Sequence, residues 1–121
     1  MSTAEEHQRG LRVVRGVWTE SEAEALLREA GPDGGAVSPS GRALLQRLGT
    51  EADLLDLDDA PVGSAWLSRS GSLSASFLIH VVIQGRDEPV TETSVRTALR
   101  NGLRRAAEFG IRTIHDLRAH G

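Results

Sequence analysis

A glycine- and proline-rich segment, 31–41, at the start of a predicted helix is the first candidate for a ligand site. Glycines allow backbone N–H groups to approach a phosphate, and the positive end of the following helix attracts an anion. The same composition is also typical of an ordinary turn. The ligand-binding hypothesis rests on five consecutive residues, Gly34, Gly35, Ala36, Val37 and Ser38.

Histidines and serines are the other reactive candidates. His80 lies inside the apolar run 77–83, where it is either a hydrogen-bonded core residue or a catalytic or metal-binding one. His115 and His120 are five residues apart, which is not the i, i+4 spacing of a metal pair on a helix. Serines are frequent in 68–76, but no Gly-x-Ser-x-Gly motif surrounds them. The sequence therefore predicts no catalytic residues and no metal ligands.

The composition of the 121 residues excludes several classes of function. Cys, Lys and Tyr are absent, which removes disulfides, thiolate nucleophiles, Cys-bound zinc and Schiff-base chemistry. Aromatic residues make up only 3%, too few for a surface that stacks single-stranded nucleic acid. The net charge of the chain is −3, although residues 61–121 alone contain more arginines than acidic residues. We expect no nucleic-acid partner, and no cofactor is implied.

The arginine spacing and the hydropathy of the chain lead to two further expectations. Arg96, Arg100 and Arg104 recur every four residues on one helix face, which is either a solvated face or a patch for an anion or a partner. The first residues show no signal-peptide pattern, and the longest apolar stretch is too short to span a bilayer. We therefore expect a cytoplasmic protein without a membrane contact.

Hydrophobic periodicity predicts the strands and helices that surround these candidate residues. A short strand is expected at 11–14, and 76–83 reads as a strand buried on both faces. A helix is expected at 41–48, and a longer one runs from a Thr91 cap to Phe109. With a further strand at 111–114, the segment 77–114 forms a right-handed βαβ unit.

The remaining segments are less regular. In 21–30 the apolar residues recur at helical spacing, so periodicity favours a helix there. The acidic, leucine-alternating segment 53–59 reads as an exposed strand or a loop, and 62–67 is strand-like. Residues 1–10 are polar and expected to be a flexible N-terminus, followed by a single α/β domain over 11–121.

Taken together, these residues resemble a macro domain. The segment 61–82 is similar to the family's "Gly-x-Ala" and "Val-Ile-His" strands in that order, with His80 as the histidine. The segment 91–114 is similar to the helix and strand that follow, so the resemblance covers about half of the chain. Earlier in the sequence, 34–37 stands at the family's Gly-Gly-Gly-Val phosphate loop and 24–31 at its strand that ends in Asn-Ala-Ala-Asn.

The resemblance implies a three-layer α/β/α sandwich, and the chain stops short at its C-terminus relative to the family pattern. It also implies a strand at 25–27, where the periodicity favours a helix. The function that it implies is recognition of ADP-ribose, sometimes with hydrolysis of ADP-ribose linkages. The site motifs depart from the pattern. The adenine-reading Asp falls on Val17, and the two ribose-side Asn positions read Arg28 and Gly31.

The expected function follows from these departures. The sequence predicts a macro-like protein with a degraded site, non-catalytic, with at most weak binding of ADP-ribose or a related nucleotide diphosphate. The alternatives are a structural or interaction protein that binds no nucleotide and, more weakly, an ADP-ribosyl hydrolase. Because the family's later elements are missing after Ile114, we also expect a closed homo-oligomer with 111–121 at its interface, unless 50–59 covers that face instead.

Overall fold

A computed structural model describes residues 4–8, 10–15, 17–49, 59–71 and 73–117. Within these residues, six strands form one sheet and two helices pack against it. The strands are β1 (Ala4–Gln8), β2 (Leu11–Arg15), β3 (Ala25–Ala30), β4 (Ala65–Arg69), β5 (Phe77–Val82) and β6 (Thr113–Asp116), and the helices are α1 (Pro39–Leu48) and α2 (Glu92–Glu108). A 3-10 turn, Trp18–Glu20, follows β2.

The sheet is parallel in its centre and antiparallel at both edges. Its strand order is β1-β2-β6-β3-β5-β4, with β2, β6, β3 and β5 parallel to one another. The strands β1 and β4 run antiparallel to their neighbours and form the two edges. The carboxyl ends of the four central strands therefore meet at one side of the sheet, which is where α/β proteins usually bind ligands.

Helices cover both faces of the sheet. Alternate residues of a strand point to opposite faces, and in β3 Leu27 packs with the core under α2 whereas Leu26 packs with the core beside α1. The same alternation separates Ile79 from Leu78 in β5. The three-layer α/β/α sandwich expected from the sequence is confirmed.

The helix α2 is the element that the sequence predicts best. The Thr91 hydroxyl accepts the Ser94 N–H, and the Ser94 hydroxyl accepts the Thr91 N–H, both at 2.9 Å, so a capping box begins the helix. After the cap at Phe109, Gly110 adopts φ +77°, a left-handed conformation that glycine tolerates without strain. The expected strand and helix order of the βαβ unit is also present.

The helix expected at 21–30 is wrong. The segment contains β3, which pairs in parallel with both β5 and β6, as the family resemblance implies. The physical reason is that β3 is covered on both faces, so five of its six residues are buried. Apolar side chains are then needed at consecutive positions, and a run such as Leu26, Leu27 and Ala30 fits helical spacing by coincidence.

Two further expectations differ from the structure. The sequence predicts no element in residues 1–10, whereas β1 pairs there with β2. The terminal strand β6 lies between β2 and β3, hydrogen-bonded on both sides, so 113–116 is not the open sheet edge that the expected oligomer interface used. The acidic segment 53–59 lies outside the described residues except for Asp59. The boundary between a flexible N-terminus and the domain remains a prediction.

Candidate functional site

The candidate phosphate loop connects β3 to α1 and is closed by its own hydrogen bonds. The Gly31 N–H donates to the Gly35 carbonyl at 2.9 Å, and the Gly34 N–H donates to the Gly31 carbonyl at 3.0 Å. The Gly35 N–H donates to Oδ1 of Asp33 at 2.8 Å. Gly34 has φ +87° and is buried, so the turn depends on a glycine there. Two N–H groups that the hypothesis assigns to phosphate are therefore bonded inside the loop.

The last residue of the loop, Ser38, serves the helix that follows. Ser38 is the N-cap of α1, and its hydroxyl accepts the Gly41 N–H at 3.1 Å. Pro39 occupies the first helical turn, where its missing N–H costs nothing. An added Cβ at Gly41 would lie 3.2 Å from the Ser38 hydroxyl and 3.3 Å from the Cβ of Ala36, so the loop packs closely on the helix start. The loop and the positive end of α1 thus form one unit.

Beneath the loop lies a fully buried arginine. Arg28, in β3, is 0% exposed, and its Nη2 donates to the Gly34 carbonyl at 2.6 Å. Its Nε donates to Nδ1 of His80 at 2.8 Å. Nη1 is buried and has no hydrogen-bond partner among the described residues. The guanidinium therefore connects the loop to the strand β5 through two hydrogen bonds, and its third nitrogen makes none among the described residues.

The partner histidine belongs to a polar row across the sheet. Register places Arg28 beside His80 and His80 beside Trp66, so the three side chains share one face. The indole and imidazole rings stack with centroids 4.7 Å apart. The second ring nitrogen, Nε2, lies 2.7 Å from the Ser68 hydroxyl. The row at the α1 face thus connects the candidate loop to the edge strand β4.

The Ser68–His80 pair has the distance of a nucleophile and its base but not the protonation state. Because Arg28 has no acceptor atom, its bond to Nδ1 requires that nitrogen to carry a lone pair. The proton of a neutral imidazole then lies on Nε2, which donates to the Ser68 hydroxyl. That hydroxyl donates in turn to the Arg69 carbonyl at 3.3 Å. A histidine in this tautomer cannot remove the serine proton, so the pair is not an activated nucleophile.

Burial sets the ionisation of both groups. Burial, and after it the neighbouring positive charge of Arg28, together lower the pKa of His80 to about 3. The imidazole is therefore neutral at physiological pH. Burial also lowers the pKa of Arg28 to about 10, against the opposing effect of the Asp33 carboxylate. Arg28 thus stays a cation at neutral pH, with only neutral groups in hydrogen-bond contact.

The other candidates from the sequence lie elsewhere. His115 is buried in β6, and His120 lies outside the described residues. On the arginine face of α2, Arg96 pairs with Glu92 at 2.7 Å. Arg104 lines a polar cavity of about 500 Å³ beside β4. In the described part of the chain, no group of three or more His, Asp and Glu residues is arranged to hold a metal ion. None of the helices described has both the length and the apolar character needed to cross a bilayer.

Similarity to known proteins is visible in structure and not in sequence. The chain matches no protein-family model, and no curated protein matches it. The macrodomain of Mycobacterium tuberculosis DarG superimposes with a TM-score of 0.68 at 13% identity, covering 84% of this chain and 70% of that one. The macrodomain of Thermus aquaticus DarG gives 0.69 at 18% identity, covering 88% and 74%. The chain has the macrodomain fold.

A third similar structure carries a ligand. The Trypanosoma brucei macrodomain in complex with ADP-ribose has a TM-score of 0.66 at 21% identity, covering 89% of this chain and 46% of that one. This chain therefore spans less than half the length of that macrodomain. At such identities the comparison establishes the macrodomain fold, which confirms the resemblance found in the sequence.

The sequence did not reveal the central feature of the candidate site. Arg28 and His80 are 52 residues apart and meet only through the parallel register of β3 and β5. A signal was present in the sequence, because His80 is the one polar residue of the apolar strand β5, and Arg28 is a buried polar residue in β3, where Glu29 is the other polar residue. Such residues need a partner when buried, and the two lie at the same position, fourth, in adjacent strands.

Proposed function

We propose that this chain is a non-hydrolytic macro-like domain that binds ADP-ribose or a related nucleotide diphosphate weakly, through the backbone of residues 34–38. The position of the loop supports binding, because it follows a central parallel strand and leads into the N-terminus of α1. We expect the affinity to be weak because the Gly35 N–H already donates a hydrogen bond to the carboxylate of Asp33. A bound phosphate must displace that internal anion.

The groups at the site support a domain without hydrolytic activity. Arg28 and Gly31 stand where the family pattern has its two asparagines, and Arg28 is bonded to His80 and Gly34 instead. The Ser68–His80 pair holds its proton in the wrong tautomer for a nucleophile. The tests are calorimetry with ADP-ribose at millimolar concentration and an assay for ADP-ribose release from modified protein. Release that follows the purified protein through chromatography would overturn the proposal.

A second candidate function is supported by the same loop. If the internal bonds of Gly34 and Gly35 are never exchanged for a ligand, the chain is an interaction protein that keeps the scaffold without nucleotide binding. No heat and no shifted amide resonance with ADP-ribose at millimolar concentration would favour this candidate. We also propose that the chain acts in the cytoplasm as a closed homo-oligomer, for which β1 and β4 are the available sheet edges.

Substitution of Gly35 tests the loop directly. An added Cβ at Gly35 would lie 3.0 Å from Oδ1 of Asp33, so Gly35→Val displaces that carboxylate and places a branched side chain over the loop backbone. We expect ADP-ribose affinity to fall at least about tenfold, since backbone approach is the binding mechanism. Ala43→Val, an exposed position on α1, is the control and should bind as the unmodified chain does. Equal affinity in Gly35→Val would remove the loop from the site.

A further inference from the structure

The guanidinium of Arg28 is a buried positive charge without a directly bonded counter-ion in the described part of the chain, although the Asp33 carboxylate acts on it through space. Its two hydrogen-bond acceptors, Nδ1 of His80 and the Gly34 carbonyl, are both neutral. Neither ion pair found among the described side chains includes it. Nη1, with two N–H donors, has no hydrogen-bond partner within the part of the chain that the structure describes. Buried charges in proteins are ordinarily paired, and an unpaired one costs several kcal/mol of stability in typical cases.

We propose that Nη1 of Arg28 binds a phosphoryl oxyanion beneath the 31–38 loop. The site then selects a ligand that ends in a phosphate, such as pyrophosphate or ADP, over one that presents a neutral sugar at this point. The ligand supplies the counter-ion that Arg28 lacks, in a place where hydrogen bonds to charged groups are strong.

The geometry prepares the guanidinium for this role. Nε and Nη2 are fixed by bonds of 2.8 and 2.6 Å, so the planar group cannot rotate without losing both. Nη1 is attached to the same carbon as Nη2, and Nη2 donates to the Gly34 carbonyl, so Nη1 lies close to this part of the loop. Arginine is the side chain best suited to phosphate because it presents several donors in one plane.

The charges around the loop determine how an anion enters. Asp33 is exposed, and its carboxylate both raises the pKa of Arg28 and accepts the Gly35 N–H. A phosphoryl group competes with Asp33 for the same positive charge and the same N–H donor. Asp33 is therefore an inhibitor of binding that belongs to the chain itself. Because Nη1 is buried, an anion can reach it only if part of the loop moves.

Removal of the Asp33 charge gives a test that does not depend on Arg28 variants folding. We expect Asp33→Asn to tighten pyrophosphate binding about fivefold, the effect of deleting one unit charge about 4 Å away in a water-like dielectric. Asp87→Asn removes an equally exposed carboxylate from another loop and should leave the affinity unchanged. Affinities are measured by calorimetry with pyrophosphate, inorganic phosphate and acetate. Weaker or unchanged binding in Asp33→Asn overturns the proposal.

The imidazole of His80 reports whether the anion reaches Arg28. Because Nδ1 of His80 accepts from Nε, an anion on Nη1 polarises the guanidinium and should shift the ¹⁵N resonances of this ring in a saturable way. Binding of pyrophosphate without that shift overturns the proposal. Arg28→Gln, if it folds, should lose both the binding and the shift. Acetate that binds as tightly as phosphate overturns the phosphoryl preference.

The inference deepens the proposed function, since it uses the same loop, but the two can fail separately. If pyrophosphate shifts the His80 resonances while ADP-ribose does not bind, the proposed function is wrong and the Arg28 site stands. If ADP-ribose binds as tightly as ADP and leaves the His80 resonances unchanged, the loop binds nucleotides and the Arg28 site is wrong. If ADP binds about tenfold more tightly than ADP-ribose and moves those resonances, both stand.

Discussion

Between pH 6.5 and pH 3, we expect His80 alone to lower the free energy of unfolding by about 4 kcal/mol. In the folded chain the pKa of His80 is lowered to about 3, by burial and then by the charge of Arg28. In the unfolded chain the same histidine titrates near 6.5. Between these values only the unfolded state binds the proton, so acid favours unfolding. The stability is complete above pH 6.5 and is lost progressively as the pH falls toward 3.

Urea unfolding at pH 7.5, 6.5 and 5.0 measures this effect in a range where most carboxylates remain ionised. We expect a loss of about 2 kcal/mol between pH 6.5 and pH 5.0. His80→Asn is the informative variant, because its amide oxygen can still accept from Nε of Arg28 while the side chain no longer titrates. Its absolute stability will differ, but the decrease over this range should disappear. A decrease of the same size in His80→Asn would show that another group titrates.

The elements that local chemistry specifies could be predicted from the sequence. α2 begins at Thr91 because a hydroxyl is needed to accept a free N–H, and the chain leaves the helix at Gly110 because left-handed φ favours glycine. Both requirements are local and are visible in single residues. The strand β5 could be predicted for a similar reason, since its apolar run is too short for a helix and rich in β-branched residues.

The elements that depend on distant partners could not be predicted in this way. β3 reads as a helix because burial on both faces removes the alternation that marks a strand, and only the family resemblance indicated the correct structure. The position of β6 between β2 and β3 also depends on pairing with residues about 90 to 100 positions earlier. Periodicity within a window contains no information on such pairings.

The candidate site illustrates the same limit. The loop 34–38 could be located because glycines before a helix have a local meaning, but its internal bonds to Asp33 and Arg28 could not. In the sequence, Arg28 counted as the loss of an asparagine. In the structure it is a buried cation that orders the loop and fixes the tautomer of His80. A substitution at a site position can thus replace one chemistry by another, which only the three-dimensional contacts reveal.

At Gly102 the helix α2 lies very close to the sheet. A Cβ added at Gly102 would lie 2.6 Å from Cγ1 of Val81 and 3.3 Å from Cγ2 of Ile79. Both strand residues are fully buried, so neither side chain can move aside freely. Gly102 therefore allows the helix to lie against β5 at the cost of its own helix propensity, about 1 kcal/mol relative to alanine. The same contact fixes the strand that carries His80.

We expect Gly102→Val to lower the free energy of unfolding by about 3 kcal/mol, because overpacking of a well-packed core commonly costs 1–3 kcal/mol or somewhat more. Ala107→Val places the same side chain on the exposed face of α2 and should cost only about 0.5 kcal/mol, from helix propensity. A double-mutant cycle identifies the contact: Gly102→Ala should be less destabilising when Val81→Ala has already removed Cγ1. Urea unfolding measures all of these variants. Additive effects in the cycle, or equal losses for Gly102→Val and Ala107→Val, would show that α2 and β5 are not in contact at this position.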